Sequence, residues 1–419
     1  MNLINPIKPK PEMKRLFLFL LAALVLMPAA AKTKKAVYII IDGVPADMIE
    51  RLELPAIREI GQTGSYVRLY TGGEVGGYTQ TPTISAVGYT NILTGCWACK
   101  HNVWDNAPKP NYNYWTLFRI AEEQKRDVKT ALYSGWTDNR TVLIGEGKPE
   151  TGGLKLDYVA DGYDLDTVNF PREKDELQIF KIDEKVTDEA AQGIRTDAPD
   201  LSWVYLWYTD DAGHFYGNSE FFDRYTRKAD DQVRRIWEAV KYREANFDEE
   251  WMVIVTTDHG RDDSGYGHGG QSARERSSWM ATNVKINESL AGQTELALTD
   301  IAPTICRFLD FDVPRDVQWE QDGIPLIGQT DLVELRSKID GGTIELSWKS
   351  LNDKARATVY VAPSNNYRTG GKDEWVRVGK VKVGDEVFRF DTAGMPSDFY
   401  KFVIETPGNH LNRWVELPK

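Results

Sequence analysis

The chain has 419 residues, of which 41% are hydrophobic and 27% are charged, and its formal net charge is −12. This composition is typical of a globular protein, and the length exceeds what one ordinary hydrophobic core serves, so we expect at least two domains. The acidic balance argues against binding a nucleic-acid polymer or an anionic membrane through the overall field, so an anionic substrate must be attracted locally.

The first segment has the pattern of a secretory signal. Two basic residues precede the apolar stretch 16–27, and three alanines at 29–31 provide a small-residue cleavage signal. The apolar stretch is too short to span a bilayer comfortably, so a removed signal over residues 1–31 is favoured over a membrane anchor. Met13 is an alternative start. We therefore expect an exported protein, either periplasmic or secreted.

The first strand is predicted over 35–43, KAVYIIIDG, and it ends in Asp42. The segment 80–95, QTPTISAVGYTNILTG, then predicts an extended approach and a helix closed by Gly95. Ser85 falls at the start of this helix, where free N–H groups and the helix dipole favour an anion or a nucleophilic oxygen. The alternative is that Ser85 only caps the helix, and Thr83 is the rival hydroxyl.

The next loops are rich in cysteine and aromatic residues. Cys96 and Cys99 form a C-x-x-C pair, which in an exported protein either closes a small disulfide loop or stays reduced. Five aromatic residues can stack on a substrate group or pack in the core; they are Trp97, Trp104, Tyr112, Trp115 and Trp136. The polar stretch 145–181 is weakly patterned and is interpreted as an excursion or lid over a site.

Two further apolar runs end like the first. They lie in the segments 201–217 and 251–270 and lead to Asp210 and Asp258. Short apolar runs without alternation suit strands buried on both faces of a parallel sheet, and ligands bind beyond the carboxyl ends of such strands. We therefore expect the three acids to converge at one edge of one sheet.

Three of the five histidines, His214, His259 and His268, lie in these same two segments. The simpler interpretation is that they are polar turn residues. Asp and His without thiolates suit Zn²⁺, and Mn²⁺ or Fe is also compatible. Three acids and three histidines are too many for one tetrahedral ion, so the sequence predicts a pair of metal ions, which can also lower the pKa of a nucleophile.

Strands alternate with helices through the first three quarters of the chain, which predicts an α/β fold with a doubly wound, mostly parallel central sheet. From about residue 332 the pattern changes to short strands between turn residues. We predict a catalytic domain over 32–331 and a β-sandwich over 332–419 that loosely resembles a fibronectin type III module. His410 stands alone in the latter and is expected at the surface.

The order of the motifs IIIDG, PTISAVGYTNILTG, HNVWDN, DDAGH, TDHG and GHGG resembles the alkaline phosphatase superfamily, and within it the nucleotide pyrophosphatase/phosphodiesterase (type I phosphodiesterase) branch. The resemblance covers about residues 35–328. It implies that Asp42, Asp258 and His259 hold one zinc together with the nucleophile, and that the other zinc is held by Asp210, His214 and His268.

The resemblance also implies the roles around the phosphoryl group. Ser85 takes the place of the nucleophilic threonine of the branch's PTxTFPNHYxxxTG, which aligns without a gap from Pro82 to Gly95. Asn106 would donate to a phosphoryl oxygen in the transition state. Arg140 can reach a phosphate oxygen, but the lysine of the Lys-x-Arg pair found in some monoesterases is absent.

We therefore expect a two-metal phosphoesterase that hydrolyses a small phosphodiester or a nucleotide pyrophosphate bond through a phosphoseryl intermediate. One alternative is a phosphomonoesterase with the same metals and nucleophile. Another is a non-catalytic surface binding protein on the same scaffold. Ala86, Val87 and Gly88 replace the branch's Phe-Pro-Asn, which predicts a different substrate pocket beside the nucleophile. The segment also lacks the Cys/Ser-x-Pro-x-Arg pattern of sulfatases.

Overall fold

The computed structural model describes residues 1 and 32–417, and its largest element is an eight-stranded sheet. The strand order is β4-β3-β5-β1-β6-β7-β2-β8. The strands are β1 Thr33–Ile41, β2 Ser65–Tyr70, β3 Thr130–Ser134, β4 Tyr158–Ala160, β5 Leu201–Leu206, β6 Glu249–Thr256, β7 Ser277–Thr282 and β8 Leu296–Ala297. The pairs β1–β5, β3–β5 and β3–β4 are parallel, whereas β7 is antiparallel to both β6 and β2. The predicted α/β class with a mostly parallel sheet is confirmed.

Helices cover both faces of this sheet. They are α1 Ala46–Arg51, α2 Pro55–Thr63, α3 Ser85–Thr94, α4 Ala98–His101, α5 Leu117–Glu122, α6 Leu177–Thr196, α7 Tyr208–Tyr216, α8 Glu220–Asn246, α9 Ile301–Phe308 and α10 Arg315–Gln318. Along β1, Tyr38 and Ile40 face one hydrophobic cluster while Ile39 and Ile41 face another. Because both faces of the strand are buried, its sequence shows no alternation of apolar and polar residues.

Two antiparallel sheets follow. The strands are β9 Leu332–Asp340, β10 Thr343–Ser350, β11 Arg356–Ala362, β12 Val376–Lys382, β13 Val387–Asp391, β14 Phe399–Glu405 and β15 His410–Glu416. They form a three-stranded sheet, β13-β10-β9, and a four-stranded sheet, β12-β11-β14-β15. One hydrophobic cluster contains both Ile305 of α9 and Phe402 of β14, so these sheets share a core with the α/β part. The domain boundary at residue 332 stays a prediction.

The structure departs from the sequence-based expectations in several places. His410 is buried with only 6% of its surface exposed, and the predicted surface location is wrong. Its imidazole lies against the backbone of Gln318 and Gln321. These residues are distant in sequence, so the residues around position 410 do not indicate the burial. The stretch 145–181, interpreted as an excursion or lid, contributes β4 to the sheet edge and the start of α6.

Two expectations concern the termini and the cysteines. The predicted signal segment 1–31 lies outside the described residues, apart from residue 1. Across residues 32–417, no helix combines the length and the apolar character needed to cross a membrane. Cys96, Cys99 and Cys306 are free thiols, and the predicted alternative of a Cys96–Cys99 disulfide is not formed.

Candidate metal and nucleophile site

The three acids predicted at strand ends meet at one edge of the sheet. Asp42 follows β1, Asp258 follows β6, and Asp210 lies in the first turn of α7, directly after β5. Since β1 lies between β5 and β6, the carboxyl ends of these strands are adjacent. The sheet order therefore brings Asp42 next to Asp258, which lies more than 200 positions further along the chain.

One group consists of Asp42, Asp258 and His259, all of them buried. The His259 Nε2 atom lies 3.4 Å from Asp42 Oδ1 and 3.3 Å from Asp258 Oδ2. Within residues 32–417 these two oxygens are buried and accept no hydrogen bond. Ionisation of both carboxyl groups would place negative charge in the protein interior with no cation or hydrogen-bond donor at these two oxygens to compensate it.

The other group consists of Asp210, His214 and His268. The His214 Nε2 atom is 3.1 Å from both Asp210 Oδ2 and His268 Nε2, and His268 Nε2 is 3.7 Å from Asp210 Oδ1. The rings of His259 and His268 stack with their centroids 3.9 Å apart. The possible ligand atoms of Asp210, His259 and His268 also lie within 4.8 Å of one another. The six predicted ligands therefore form one continuous cluster, and His214 is its most exposed member.

Backbone carbonyls set the orientation of two imidazoles. The His259 Nδ1 atom lies 2.9 Å from the carbonyl of Gly260, and His268 Nδ1 lies 2.9 Å from the carbonyl of Thr83. An N–H at Nδ1 leaves Nε2 as the lone-pair donor, which is the tautomer that a metal requires. Burial lowers the pKa of both imidazoles, so they are neutral at physiological pH.

The acidic and basic groups shift one another's pKa. Burial, followed by the charges of Asp258 and Asp210, raises the pKa of Asp42 well above its ordinary value. Burial and the charge of Asp210 raise the pKa of Asp258 to about 8. Burial acts in the same direction on Asp210, but Arg261 and His214 outweigh it and hold the pKa of that carboxyl below its usual range. The two carboxyls beside His259 thus lack a cation, whereas Asp210 has one.

Arg261 is a site residue that the sequence analysis missed. Its buried guanidinium donates to a carboxylate oxygen of Asp210 and, through Nε at 3.0 Å, to the carbonyl of Gly43. Gly213 makes room for it, because a Cβ there would lie 2.3 Å from the guanidinium carbon. The only sequence signal for Arg261 is its position directly after the TDHG motif. Because arginine is usually a surface residue, that position does not by itself indicate a buried partner of Asp210.

Ser85 and Thr83 have different surroundings. Ser85 is the first residue of α3, and its Oγ atom lies 3.2 Å from His259 Nε2. The Thr83 hydroxyl donates to the carbonyl of Gly270 at 2.9 Å and accepts from the N–H of Gly269 at 2.9 Å. Thr83 therefore holds the 268–270 loop, whereas Ser85 is the hydroxyl that faces the metal-ligand cluster.

The residues after Ser85 do not form exposed pocket surface. Ala86 and Val87 are fully buried. Gly88 packs directly on Asp258, where an added Cβ would lie 2.7 Å from the Asp258 Cβ. Their substitution for the Phe-Pro-Asn pattern therefore sets how closely α3 approaches the end of β6.

Asn106 and Arg140 differ in their placement. The Asn106 Oδ1 accepts a hydrogen bond from the N–H of Ala86 at 3.0 Å, which places the Asn106 side chain at the residue directly after Ser85. The Arg140 guanidinium instead binds Asp161, with Nε at 2.6 Å from Oδ2, and Glu146, with Nη1 at 2.8 Å from Oε2. Two carboxylates already neutralise Arg140, so its predicted role in substrate binding has no structural support.

The residues fit a divalent cation on chemical grounds. Carboxylate oxygens and neutral imidazole nitrogens, with no thiolate among them, are the ligand set of Zn²⁺ and Mn²⁺ sites. The buried, unpartnered oxygens of Asp42 and Asp258 are the strongest sign, because a cation between them would compensate both charges. The elevated pKa of Asp258 is the expected property of a metal ligand without its metal.

This electrostatic imbalance predicts how the stability of the metal-free protein depends on pH. The folded state holds protons on Asp42 and Asp258 more tightly than the unfolded chain, where a carboxyl titrates near 3.8. The stability gained from these protons is complete below about pH 4 and is lost as the pH rises towards 8. We expect the melting temperature in a chelator to fall across this window, and excess Zn²⁺ to reduce the fall.

Circular dichroism melts at pH 5, 6, 7 and 8, with and without Zn²⁺, measure this dependence. Other buried carboxyl groups with a raised pKa, such as Asp183 and Asp300, change stability with pH in the same direction. The difference between the melting temperatures in Zn²⁺ and in chelator therefore reports the contribution of the metal-ligand cluster alone. Identical pH profiles in chelator and in Zn²⁺ would contradict the prediction.

Comparison with known proteins adds a family match. The family model for type I phosphodiesterase / nucleotide pyrophosphatase matches residues 36–270. No curated protein matches the chain.

Several solved structures are similar to this chain. A putative sulfatase from Bacteroides thetaiotaomicron is 12% identical, with a TM-score of 0.47, over 87% of this chain and 86% of its own. Murine ectonucleotide pyrophosphatase / phosphodiesterase 5 is 12% identical, with a TM-score of 0.44, over 67% of this chain and 96% of its own. Phosphonoacetate hydrolase from Sinorhizobium meliloti is 16% identical, with a TM-score of 0.38, over 55% of this chain and 57% of its own.

Proposed function

The chain belongs to the type I phosphodiesterase / nucleotide pyrophosphatase family of the alkaline phosphatase superfamily, and we propose that it is an exported two-metal phosphoesterase that acts through a phosphoseryl intermediate at Ser85. The observation that carries the proposal is the position of the Ser85 hydroxyl. It lies at a helix N-terminus, 3.2 Å from His259, beside two buried carboxyl groups that each have one oxygen without a hydrogen-bond partner among the described residues. Export rests on the predicted signal segment.

Ser85 is the proposed nucleophile. Its Oγ forms a bond to phosphorus while the bond from phosphorus to the leaving-group oxygen breaks, and water then hydrolyses the phosphoseryl ester. The N-terminal end of α3 favours the negative charge of the phosphoryl group. When bound to Asp42, Asp258 and His259, and to Asp210, His214 and His268, two Zn²⁺ ions would supply Lewis-acid stabilisation and lower the pKa of the hydroxyl.

Asn106 is proposed to bind the phosphoryl group. Its Oδ1 is occupied by the N–H of Ala86, which leaves the amide NH₂ to donate to a non-bridging oxygen. The hydrogen bond to Ala86 also ties Asn106 to the first turn of the nucleophile's helix. Trp104, two residues earlier, has 42% of its surface exposed and offers an aromatic face to a leaving group.

The charge around the site favours a diester over a monoester. A phosphate monoester dianion carries one more negative charge than a diester, so compensating it calls for an additional cation in the site. Here Arg261 is bonded to Asp210 and Arg140 is bonded to Asp161 and Glu146. Neither guanidinium is available to compensate a second charge on the attacked phosphoryl group. This supports a substrate whose attacked phosphorus carries one charge, as in a phosphodiester or at the esterified phosphorus of a nucleotide pyrophosphate bond.

The corresponding test compares two chromogenic substrates. We expect kcat/KM for bis-p-nitrophenyl phosphate to exceed that for p-nitrophenyl phosphate by at least about tenfold, which corresponds to about 1.4 kcal/mol in the transition state. An Arg140→Ala variant is a matched control and should leave this ratio unchanged. A strong preference for the monoester would instead assign the site to a phosphomonoesterase.

A further inference from the structure

Two tyrosines bind one oxygen of Asp42. The Tyr205 hydroxyl donates to Asp42 Oδ2 at 2.7 Å, and the Tyr89 hydroxyl donates to the same oxygen. The two hydroxyls are also 2.8 Å from each other. All three side chains are buried, so water does not compete for this oxygen.

The opposite oxygen of Asp42 is different. Asp42 Oδ1 is buried and has no hydrogen-bond partner among the residues that the structure describes, and it lies 3.4 Å from His259 Nε2. A free carboxylate can rotate and offer either oxygen, or both, to a cation. With Oδ2 held by two donors, only Oδ1 is left for a ligand bond.

The tyrosines come from the two elements that frame Asp42. Tyr89 lies four residues after Ser85, so it projects from the same side of α3 one turn further along. Tyr205 lies on β5 and pairs with Ile40 of the parallel strand β1, close to the end of β1 that leads to Asp42. The hydroxyl pair therefore connects the helix of the nucleophile to the strand of the ligand.

We propose that Tyr89 and Tyr205 are positioning residues that fix Asp42 as a one-oxygen metal ligand. The inference rests on the proposed function, because it presumes a metal ion at Asp42, Asp258 and His259. Hydrogen-bond partners of metal ligands set ligand orientation, and their loss typically lowers metal affinity or activity about 10- to 100-fold. In the alternative, the hydroxyls only stabilise a buried carboxylate and have no effect on metal binding.

The experiment measures Zn²⁺ binding to the full chain by competition with a chromophoric chelator. Tyr205→Phe and Tyr89→Phe each remove one hydroxyl and keep the ring. We expect each variant to raise the dissociation constant of the tighter Zn²⁺ ion by about 10- to 100-fold. In an Asp42→Asn background, the same substitutions should change the constant less than about twofold, because the ligand they orient has been altered.

Tyr38→Phe is the matched control. Tyr38 is fully buried in the same sheet, and within residues 32–417 its hydroxyl has no hydrogen-bond partner. Its Zn²⁺ dissociation constant should equal that of the wild type. Melting in a chelator, measured for every variant, reports the purely structural cost of each substitution.

The possible outcomes separate the two proposals. If the wild type binds Zn²⁺ and both tyrosine variants keep its dissociation constant, the positioning role is wrong while the proposed function stands. The same holds if the variants only lower the melting temperature in the chelator. If the wild type binds no divalent ion, the proposed function fails together with the positioning role. A weaker constant in either variant, with the Tyr38→Phe constant unchanged, supports the inference even if the other variant does not fold.

Discussion

Replacing Ser85 with alanine is expected to reduce kcat/KM for bis-p-nitrophenyl phosphate by at least about 10³-fold, because the proposed covalent step loses its nucleophile. The side chain is small and begins a helix without acting as its N-cap, since Ile84 occupies that position. We therefore expect Ser85→Ala to fold normally and to keep binding Zn²⁺ through the six Asp and His residues. Steady-state kinetics, a melting curve and metal analysis of the same preparation provide the three measurements.

Two controls distinguish the proposed nucleophile from its neighbours. Ser85→Thr keeps a hydroxyl at the same backbone position and should retain much of the activity. Thr83→Val removes the hydroxyl that holds Gly269 and Gly270, so it should lower stability and disturb His268 without removing the nucleophile. Full activity in Ser85→Ala would point to direct attack by water and would remove the phosphoseryl intermediate from the mechanism.

Replacing Asp258 with asparagine is expected to have opposite effects on activity and on metal-free stability. The substitution removes a proposed ligand, so activity should fall by about 10³-fold or more. It also removes a buried carboxylate that has an unpartnered oxygen and a pKa raised to about 8 by burial and by Asp210. In a chelator at pH 8 we expect the variant to be more stable than the wild type by about 1–3 kcal/mol, the usual cost of an unsatisfied buried polar group.

Chemical denaturation with and without Zn²⁺ measures both parts. The sign of the stability difference should reverse when Zn²⁺ is added, because the wild type gains binding energy that Asp258→Asn cannot fully recover. This reversal is the internal control, since a packing defect would destabilise the variant under both conditions. A variant that is less stable in the chelator as well would show that Asp258 is already compensated without a metal.

The sequence by itself determined the fold class and brought the candidate site residues to one edge of the sheet. Strands buried on both faces appear as short apolar runs, and parallel strands end at a common edge, so Asp42, Asp210 and Asp258 were predicted to meet. The histidines followed because His214, His259 and His268 lie in the segments of Asp210 and Asp258. Ser85 was identifiable because a hydroxyl followed by a helical pattern marks the start of a helix. Each of these signals can be read within a single segment of the chain, without knowledge of the other segments.

Only the tertiary structure decided which polar groups are paired. Thr83 is a second hydroxyl near the start of the helix, and its contacts with the 268–270 loop distinguish it from Ser85, which faces His259. Arg140 is occupied by Asp161, Arg261 binds Asp210, and Tyr89 and Tyr205 share one oxygen of Asp42. A hydrogen bond depends on the positions of both partners to within a few tenths of an ångström. Most of these partners are brought together from distant segments by packing alone, so no local pattern in the sequence can report them.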